Sequence, residues 1–381
     1  MPELPEVETV ARDLRRLVVG ATILGAAGDW PRAIASHASM AAFADGLVGR
    51  RIEAVGRRAK LVVMELSGDG ALTIHLKMTG QLFVVPAGAA SDRHVHLTLA
   101  LDDGRELRFR DIRKFGRVGL WPRDPLSGAV LDAEAGGELF AGHGPEPLAE
   151  AFTLRAFRER LRRRRGRLKP LLLDQAFIAG IGNIYADEAL WRARLHPLRR
   201  VGSLRPPDEA RLYREFRAVL AEAIERRGSS IDDYTAPDGD GAMQERLVVY
   251  QRAGAPCVRC GRPIRRIVVG QRATHFCSWC QRLPAADRAG AAALLAIGRA
   301  PRGRGRRWAE LPGDGVLGRT PGETARAEAQ ARTQRTQTAA TTRRAAARAG
   351  VGAPLPTHAE APTYAEAPVT TSASVPAPER G

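Results

Sequence analysis

The sequence predicts an α+β protein: a β-rich first part, sandwich-like or barrel-like and closed by flanking helices, then a helical part, a cysteine-bearing hairpin and a disordered tail. Three observations carry this. Residues 61 to 121 hold short runs of strand-like composition separated by Gly/Asp turn signals, the pattern changes to a helical period between Thr153 and Gly228, and all four cysteines lie between 257 and 280.

The first helix is expected from Leu4 onward, with Leu4, Val7, Val10, Leu14, Leu17 and Val18 at helical spacing and Gly20 as the stop. Strands are expected over Leu61 to Leu66, Ala71 to Met78, His94 to Leu101, Glu106 to Asp111 and Arg117 to Trp121. The alternation His94-Val95-His96-Leu97-Thr98-Leu99 suits a half-buried antiparallel strand. Gly68-Asp69-Gly70 and Asp102-Asp103-Gly104 supply turns between neighbours. Between Leu131 and Glu150 the apolar period lapses into Gly-, Pro- and acid-rich sequence, where an interdomain hinge is expected. The clearest later helix is Asp208 to Arg227, with Leu212, Phe216, Val219, Leu220 and Ile224 on one face. Past about Gly290 branched apolar and aromatic residues thin out, which predicts disorder, with a basic first half suited to nonspecific DNA affinity.

At 381 residues the chain is long enough for two domains and extra material. Its formal charge of +17 favours a polyanionic partner, nucleic acid first. No apolar run approaches the ~20 residues needed to span a bilayer and the N-terminus lacks signal-peptide order, so a cytoplasmic protein with no membrane partner is expected.

The terminus Met1-Pro2-Glu3-Leu4-Pro5-Glu6 carries the chemistry. Removal of Met1 ahead of a small residue would leave Pro2 with a free secondary amine. An α-amino group has a pKa of ~7.7–8.0 against ~10.4 for lysine, so part of it is nucleophilic at neutral pH and can form an imine with an aldehyde carbon. Glu3 and Glu6 follow, so that one can protonate a leaving oxygen while the other orients water or tunes the amine. The helix dipole lowers the amine pKa and the glutamates raise it, which leaves the net shift unsigned. Pro and Glu are also ordinary first-turn residues, so these positions alone leave both readings open.

Cys257-x2-Cys260-x16-Cys277-x2-Cys280 has the spacing of a four-thiolate zinc site. With four protein ligands no position remains for water, so a structural ion is expected. Arg272, between the knuckles, would stand near an outward-pointing hairpin tip, either holding a phosphate or merely solvated. The stretch Lys169 to Ala186 reads as helix, glycine-bearing turn and helix. Gly180 and Gly182 would let backbone N–H groups approach a phosphate, and Asn183 could cap the second helix. Arg162 to Arg165, Arg167 and Lys169 form a basic run before it, of a kind that is usually a solvated face.

Pro2-Glu3-Leu4-Pro5-Glu6-Val7-Glu8-Thr9, Arg58-Ala59-Lys60, His75-Leu76-Lys77-Met78-Thr79-Gly80, Gly180-Ile181-Gly182-Asn183-Ile184-Tyr185-Ala186 and Gln271-Arg272-Ala273-Thr274 occur in this order. Over about residues 2 to 283 the chain therefore resembles the bacterial formamidopyrimidine-DNA glycosylases. The resemblance implies a β-sandwich catalytic domain over 2–131, a linker over 132–152, a helix-two-turn-helix domain over 153–245 and a zinc hairpin over 246–283; it does not cover the tail over 291–381, whose disorder is expected from composition. It implies excision of 8-oxoguanine and formamidopyrimidines from damaged duplex DNA by a monomer, followed by strand cleavage. Pro2 would be the Schiff-base nucleophile, Glu3 the acid/base at the sugar ring oxygen and Glu6 its support. Lys60 would meet phosphates around the lesion, with His75 in the same DNA-facing region. Met78, Arg113 and Phe115 would fill the gap left by the flipped base, and Lys169, Asn183 and Arg272 would contact phosphates, with Tyr185 among the DNA-binding residues. Asp111-Ile112-Arg113-Lys114-Phe115-Gly116 departs from the family by Ile and Lys where Pro and Arg are frequent, and the lid region Tyr234 to Met243 is Gly/Asp-rich.

Two alternatives stand beside this reading. An endonuclease VIII-like enzyme for oxidised pyrimidines shares the terminal proline, the glutamates and the zinc hairpin. A noncatalytic zinc-ribbon DNA binder fits the charge and cysteines but leaves Pro2, Glu3, Glu6 and Lys60 unexplained.

Overall fold

The computed structural model describes residues 2–132, 134–230 and 241–291, all within the compact unit Met1–Arg304. The expectations for the tail, and most of the lid region Tyr234 to Met243, lie outside the described residues.

Helix α1 (Leu4–Val18) buries Val7, Val10, Leu14 and Val18. It packs against two four-stranded antiparallel sheets. One has the order β1 (Ile23–Ala27), β6 (Val95–Leu101), β7 (Arg105–Asp111), β5 (Gly80–Pro86); the other runs β2 (Ile52–Arg58), β3 (Leu61–Leu66), β4 (Gly70–His75), β8 (Arg117–Pro122). Val62, Met64 and Leu66 of β3 and Leu97, Leu99 and Leu101 of β6 alternate inward to form the shared core. Helix α2 (Met40–Leu47), capped by Ser39 Oγ accepting from Ala42 N at 3.2 Å, adds Phe43 and Leu47.

Strand periodicity found β3, β6, β7 and β8 and missed β1, β2 and β5, whose Gly, Arg or unbroken apolar runs lack clean alternation. The strand expected to reach Met78 ends at His75, because Lys77 takes a left-handed φ of 54° and turns the chain.

A short ladder of β9 (Leu131–Asp132) and β10 (Gly137–Glu138) leads to the helical part: α3 (Leu154–Arg162), α4 (Leu168–Leu173), α5 (Asn183–Arg192) and α6 (Pro206–Glu225). Phe157, Leu172, Phe177, Tyr185, Leu212, Phe216 and Leu220 make its core. Helix α6 begins and ends two residues before its expected limits, with Pro206 at its first turn. The hairpin β11 (Arg265–Val269) and β12 (Arg272–Phe276) turns through Gly270 and Gln271, both at positive φ. The single turn α7 (Ala285–Arg288) follows.

The two parts are bolted together near the N-terminus. Leu4 N donates to Gly180 O at 3.0 Å and Arg227 Nη2 pairs with Asp13 Oδ2 at 2.7 Å. Glu146 accepts Ala59 N at 2.7 Å and pairs with Arg57 at 2.7 Å and Arg58 at 2.9 Å, which fixes the β2–β3 turn against the segment leading to α3. No helix among the described residues is long and apolar enough to cross a membrane.

Candidate active site

Pro2, Glu3 and Glu6 are buried where α1 meets α5. Glu3 Oε1 accepts Ile184 N at 2.8 Å and Oε2 accepts Tyr185 N at 3.3 Å, so this carboxyl occupies the N-terminus of α5. The glycine turn makes the approach possible. A Cβ on Gly182 would lie 2.3 Å from Glu3 Cδ, and one on Gly180, which has φ 84°, would lie 2.6 Å from Leu4 Cδ1. The turn expected to cradle a phosphate therefore receives the protein's own N-terminus. Asn183 is not its cap: it is the first residue of α5, and its Nδ2 donates to Ala273 O at 3.0 Å, tying α5 to the zinc hairpin.

Glu6 orients this segment. Its Oε2 accepts Glu3 N at 2.8 Å, and its Oε1 accepts Ser229 N at 2.8 Å, Ser229 Oγ at 3.1 Å and the Tyr185 hydroxyl. Tyr185 is fully buried, so it does not face DNA as expected; burial, then the Glu6 charge, hold its phenol well above the usual range and keep it a donor. Ser229 gave no sequence signal, since serine after a helix-ending glycine is ordinary.

Lys60 enters from the β2–β3 turn, where Ala59 has a φ of 55°. It is 8% exposed. Burial lowers its pKa, Glu3 and Glu6 pull it back up, and Arg272 and Lys77 lower it further. Burial in turn raises the Glu3 carboxyl; Lys60 opposes this and Glu6 reinforces it. These mutual effects place Glu3, Glu6, Lys60 and Arg272 in one electrostatic site. A carboxyl held above its ordinary range keeps its proton more readily, which suits a proton donor.

His75 closes the β4 end of the site. Burial, then Lys77, Lys60 and His143, depress its pKa to about 3, so the ring is neutral at pH 7. Its Nδ1 accepts Lys77 N at 3.0 Å, which leaves the ring proton on Nε2 as a donor. An unfolded histidine binds its proton near 6.5, so between pH 6.5 and 3 the unfolded chain binds more protons at this position. This contribution to stability is therefore complete above pH 6.5 and falls with pH through that window. His75→Asn, whose amide oxygen can replace Nδ1, is expected to show a shallower loss of unfolding free energy on acidification in urea titrations; a profile identical to the parent's would contradict it.

Met78 and Phe115 are exposed at 36% and 46%, and the Arg113 guanidinium stacks 4.9 Å from the Phe115 ring centre. Asp111, fully buried, holds the β7–β8 loop that carries Arg113 and Phe115 and ties it to Thr79, next to Met78. Oδ1 accepts Arg113 N at 3.2 Å and the Thr79 hydroxyl; Oδ2 accepts Phe115 N at 2.8 Å and Gly116 N at 2.7 Å. In sequence Asp111 is a strand end and the first residue of the stretch that carries Arg113 and Phe115, with no role of its own. Asp111→Ala strands these donors and is expected to cost about 1–3 kcal/mol, read as a lower urea midpoint; an unchanged midpoint would show the loop is held otherwise.

Lys169 is not placed to meet a phosphate. It is fully buried and ion-paired with Asp187, whose Oδ2 accepts His275 N at 2.9 Å. Within the apolar packing around α4 and α5 a lysine without a counter-ion would be costly, and here the pair locks α4, α5 and β12 together. Arg272 is exposed at the start of β12, as the hairpin tip required.

The four cysteine sulfurs lie within 4.8 Å of one another, with Cys257 to Cys280 at 3.9 Å and Cys260 to Cys277 at 3.5 Å. Tetrahedral zinc with ~2.3 Å bonds needs sulfurs ~3.8 Å apart, so the thiols fit the ion.

The chain matches three family profiles: Formamidopyrimidine-DNA glycosylase N-terminal domain over residues 1–118, Formamidopyrimidine-DNA glycosylase H2TH domain over 143–235, and Zinc finger found in FPG and IleRS over 254–283. It is 52% identical over 283 residues to the formamidopyrimidine-DNA glycosylase of Chloroflexus aurantiacus, covering 74% of this chain and 98% of that one. Among solved structures it is similar to a Lactococcus lactis Fpg mutant in complex with Fapy-dG containing DNA, at 37% identity and TM-score 0.67, covering 74% of this chain and 100% of that one. A second likeness, at 36% identity and TM-score 0.66 with the same coverage, is to wild-type Lactococcus lactis Fpg with an oxidized pyrimidine containing DNA. A β-sandwich, a helix-two-turn-helix part and a zinc hairpin meeting at a buried acidic terminus define a DNA glycosylase of base excision repair. The chain belongs to the formamidopyrimidine-DNA glycosylase family. It is thus an enzyme acting on damaged DNA, with one structural zinc on Cys257, Cys260, Cys277 and Cys280. The reading as a noncatalytic zinc-ribbon binder falls.

Proposed function

We propose that the enzyme is bifunctional, excising 8-oxoguanine and formamidopyrimidines and then cutting the strand through a Schiff base on Pro2. The observation that carries this is the buried Glu3 carboxyl, raised above its ordinary range, one residue from Pro2 and electrostatically coupled to Lys60. Once Met1 is removed, the Pro2 nitrogen attacks C1′ and the glycosidic bond breaks, its electron pair leaving with the base, which takes up the proton that the amine loses. Glu3 gives its proton to the sugar ring oxygen, so the ring opens and an iminium forms on Pro2. The iminium acidifies the C2′ proton; its removal expels the 3′ phosphate, and a second elimination expels the 5′ phosphate. Glu6, held by Tyr185 and Ser229, keeps Glu3 in register. Met78, Arg113 and Phe115 fill the space of the flipped base, and His75 Nε2–H, Lys60 and Arg272 hold phosphates. Zinc takes part in none of these steps. The enzyme works as a cytoplasmic, nucleoid-associated monomer.

Leu4 and Gln271-Arg272-Ala273-Thr274 support the purine preference. Single-turnover nicking of 8-oxoguanine and thymine glycol duplexes tests it: faster cutting of 8-oxoguanine is expected, and a clear preference for thymine glycol would sink the assignment. One observation favours a second nucleophile. Lys60 is buried with a lowered pKa beside Glu3, which are the conditions that activate a lysine.

A further inference from the structure

The basic run before α4 remains outside the site described above. Arg164, Arg165 and Arg167 line a cavity of about 640 Å³ together with Arg200, Gly166, Gly202 and Ser203, closed on one side by Ala286 and Asp287 of α7. None of the candidate site residues borders it. Two of its arginines are committed to the fold: Arg167 Nη1 donates to Leu198 O at 2.6 Å, and Arg164 lies 3.7 Å from Asp174. Arg165 and Arg200 are exposed, and their guanidinium groups have no hydrogen bond or ion pair among the described residues. Asp287, the only acidic group among the described residues that line the cavity, already accepts Ser203 Oγ at 2.8 Å and Arg200 N at 3.3 Å. Arg165 and Arg200 therefore present positive charge to a cavity whose own carboxylate is already engaged, which favours an anion there.

We propose that this cavity grips the phosphodiester backbone of DNA outside the stretch held around the lesion. Charge chooses the occupant. The chain's own continuation is an unsuitable one, since residues 292 to 381 carry thirteen arginines against seven acidic residues and remain basic as a whole. That continuation instead adds charge of the same sign beyond Ala291, four residues after Asp287, so cavity and tail favour one polyanion. A backbone contact here positions the duplex without reading its sequence. The proposal rests on the family's action on DNA and not on the Pro2 chemistry.

The test is the double variant Arg165→Ala/Arg200→Ala in the full chain, with Arg165→Glu/Arg200→Glu as a stronger form. Binding to a lesion duplex just long enough to fill the cleft, and to a much longer one, is followed against salt. Each phosphate contact contributes about −0.9 to the slope of log K against log salt, so the alanine pair should flatten the long-duplex slope by about 1.8. Short-duplex affinity, excision rate and zinc content should stay at parental values. Unchanged slopes on both duplexes would overturn the proposal. Equal losses on both would assign the arginines to the lesion footprint and overturn it equally, while retained short-duplex binding shows that the glycosylase reading stands either way.

Discussion

Glu3→Gln is expected to slow base excision by roughly 10²–10⁴-fold, the usual worth of a positioned acid, while lesion-duplex affinity stays near the parental value. Glutamine reproduces the shape of the neutral carboxyl that burial favours here, and its amide oxygen can still accept Ile184 N at the start of α5. What it lacks is a proton to exchange. Loss of affinity in step with rate would instead mean that Glu3 works mainly by docking the N-terminus onto α5. Retained excision would remove it from the acid/base role. Single-turnover excision measured beside equilibrium binding separates these results.

Cys277→Ser is expected to release zinc and unfold the hairpin. Structural zinc contributes about 10–16 kcal/mol in isolated zinc-finger peptides, and the apolar clusters that otherwise support this module are small. One cluster consists of Trp191, Val249, Ile264 and the thiols Cys257 and Cys277 themselves, and the other places Ile267, Val269 and Phe276 against Leu198. The damage should reach the active site, because the hairpin is bonded to α5 through Asn183 to Ala273 and His275 to Asp187, and α5 carries the partners of Glu3. Metal analysis, DNA affinity and excision should therefore fall together. A variant that lost zinc yet cut DNA normally would show the hairpin to be dispensable.

Local signals told most where the chemistry is local. The cysteine spacing, the strand alternation of β3 and β6 and the helical face of α1 all register in a few residues and reappear in the structure. The acidic terminus was also legible, since Pro2, Glu3 and Glu6 lie within one turn. Sequence failed where a residue's role depends on a distant neighbour. Lys169 and Tyr185 look like surface contacts in a DNA-binding motif, but Asp187 and Glu6 hold them inside. Gly180 and Gly182 look like a phosphate turn, and it is Leu4 and Glu3, far away in the chain, that need the room. Asp111 and Ser229 offer no pattern because their value lies in which backbone groups they meet.

In the proposed mechanism the Pro2 amine bonds to the sugar, and Lys60 is its nearest rival. Borohydride reduction during reaction with an 8-oxoguanine:cytosine duplex, followed by peptide mapping of the crosslink, tests it most directly. An adduct on Pro2 with Met1 absent is the predicted result and would establish terminal processing, imine formation and lesion recognition together. An adduct on Lys60, or none from a zinc-loaded and DNA-binding sample, would contradict the account.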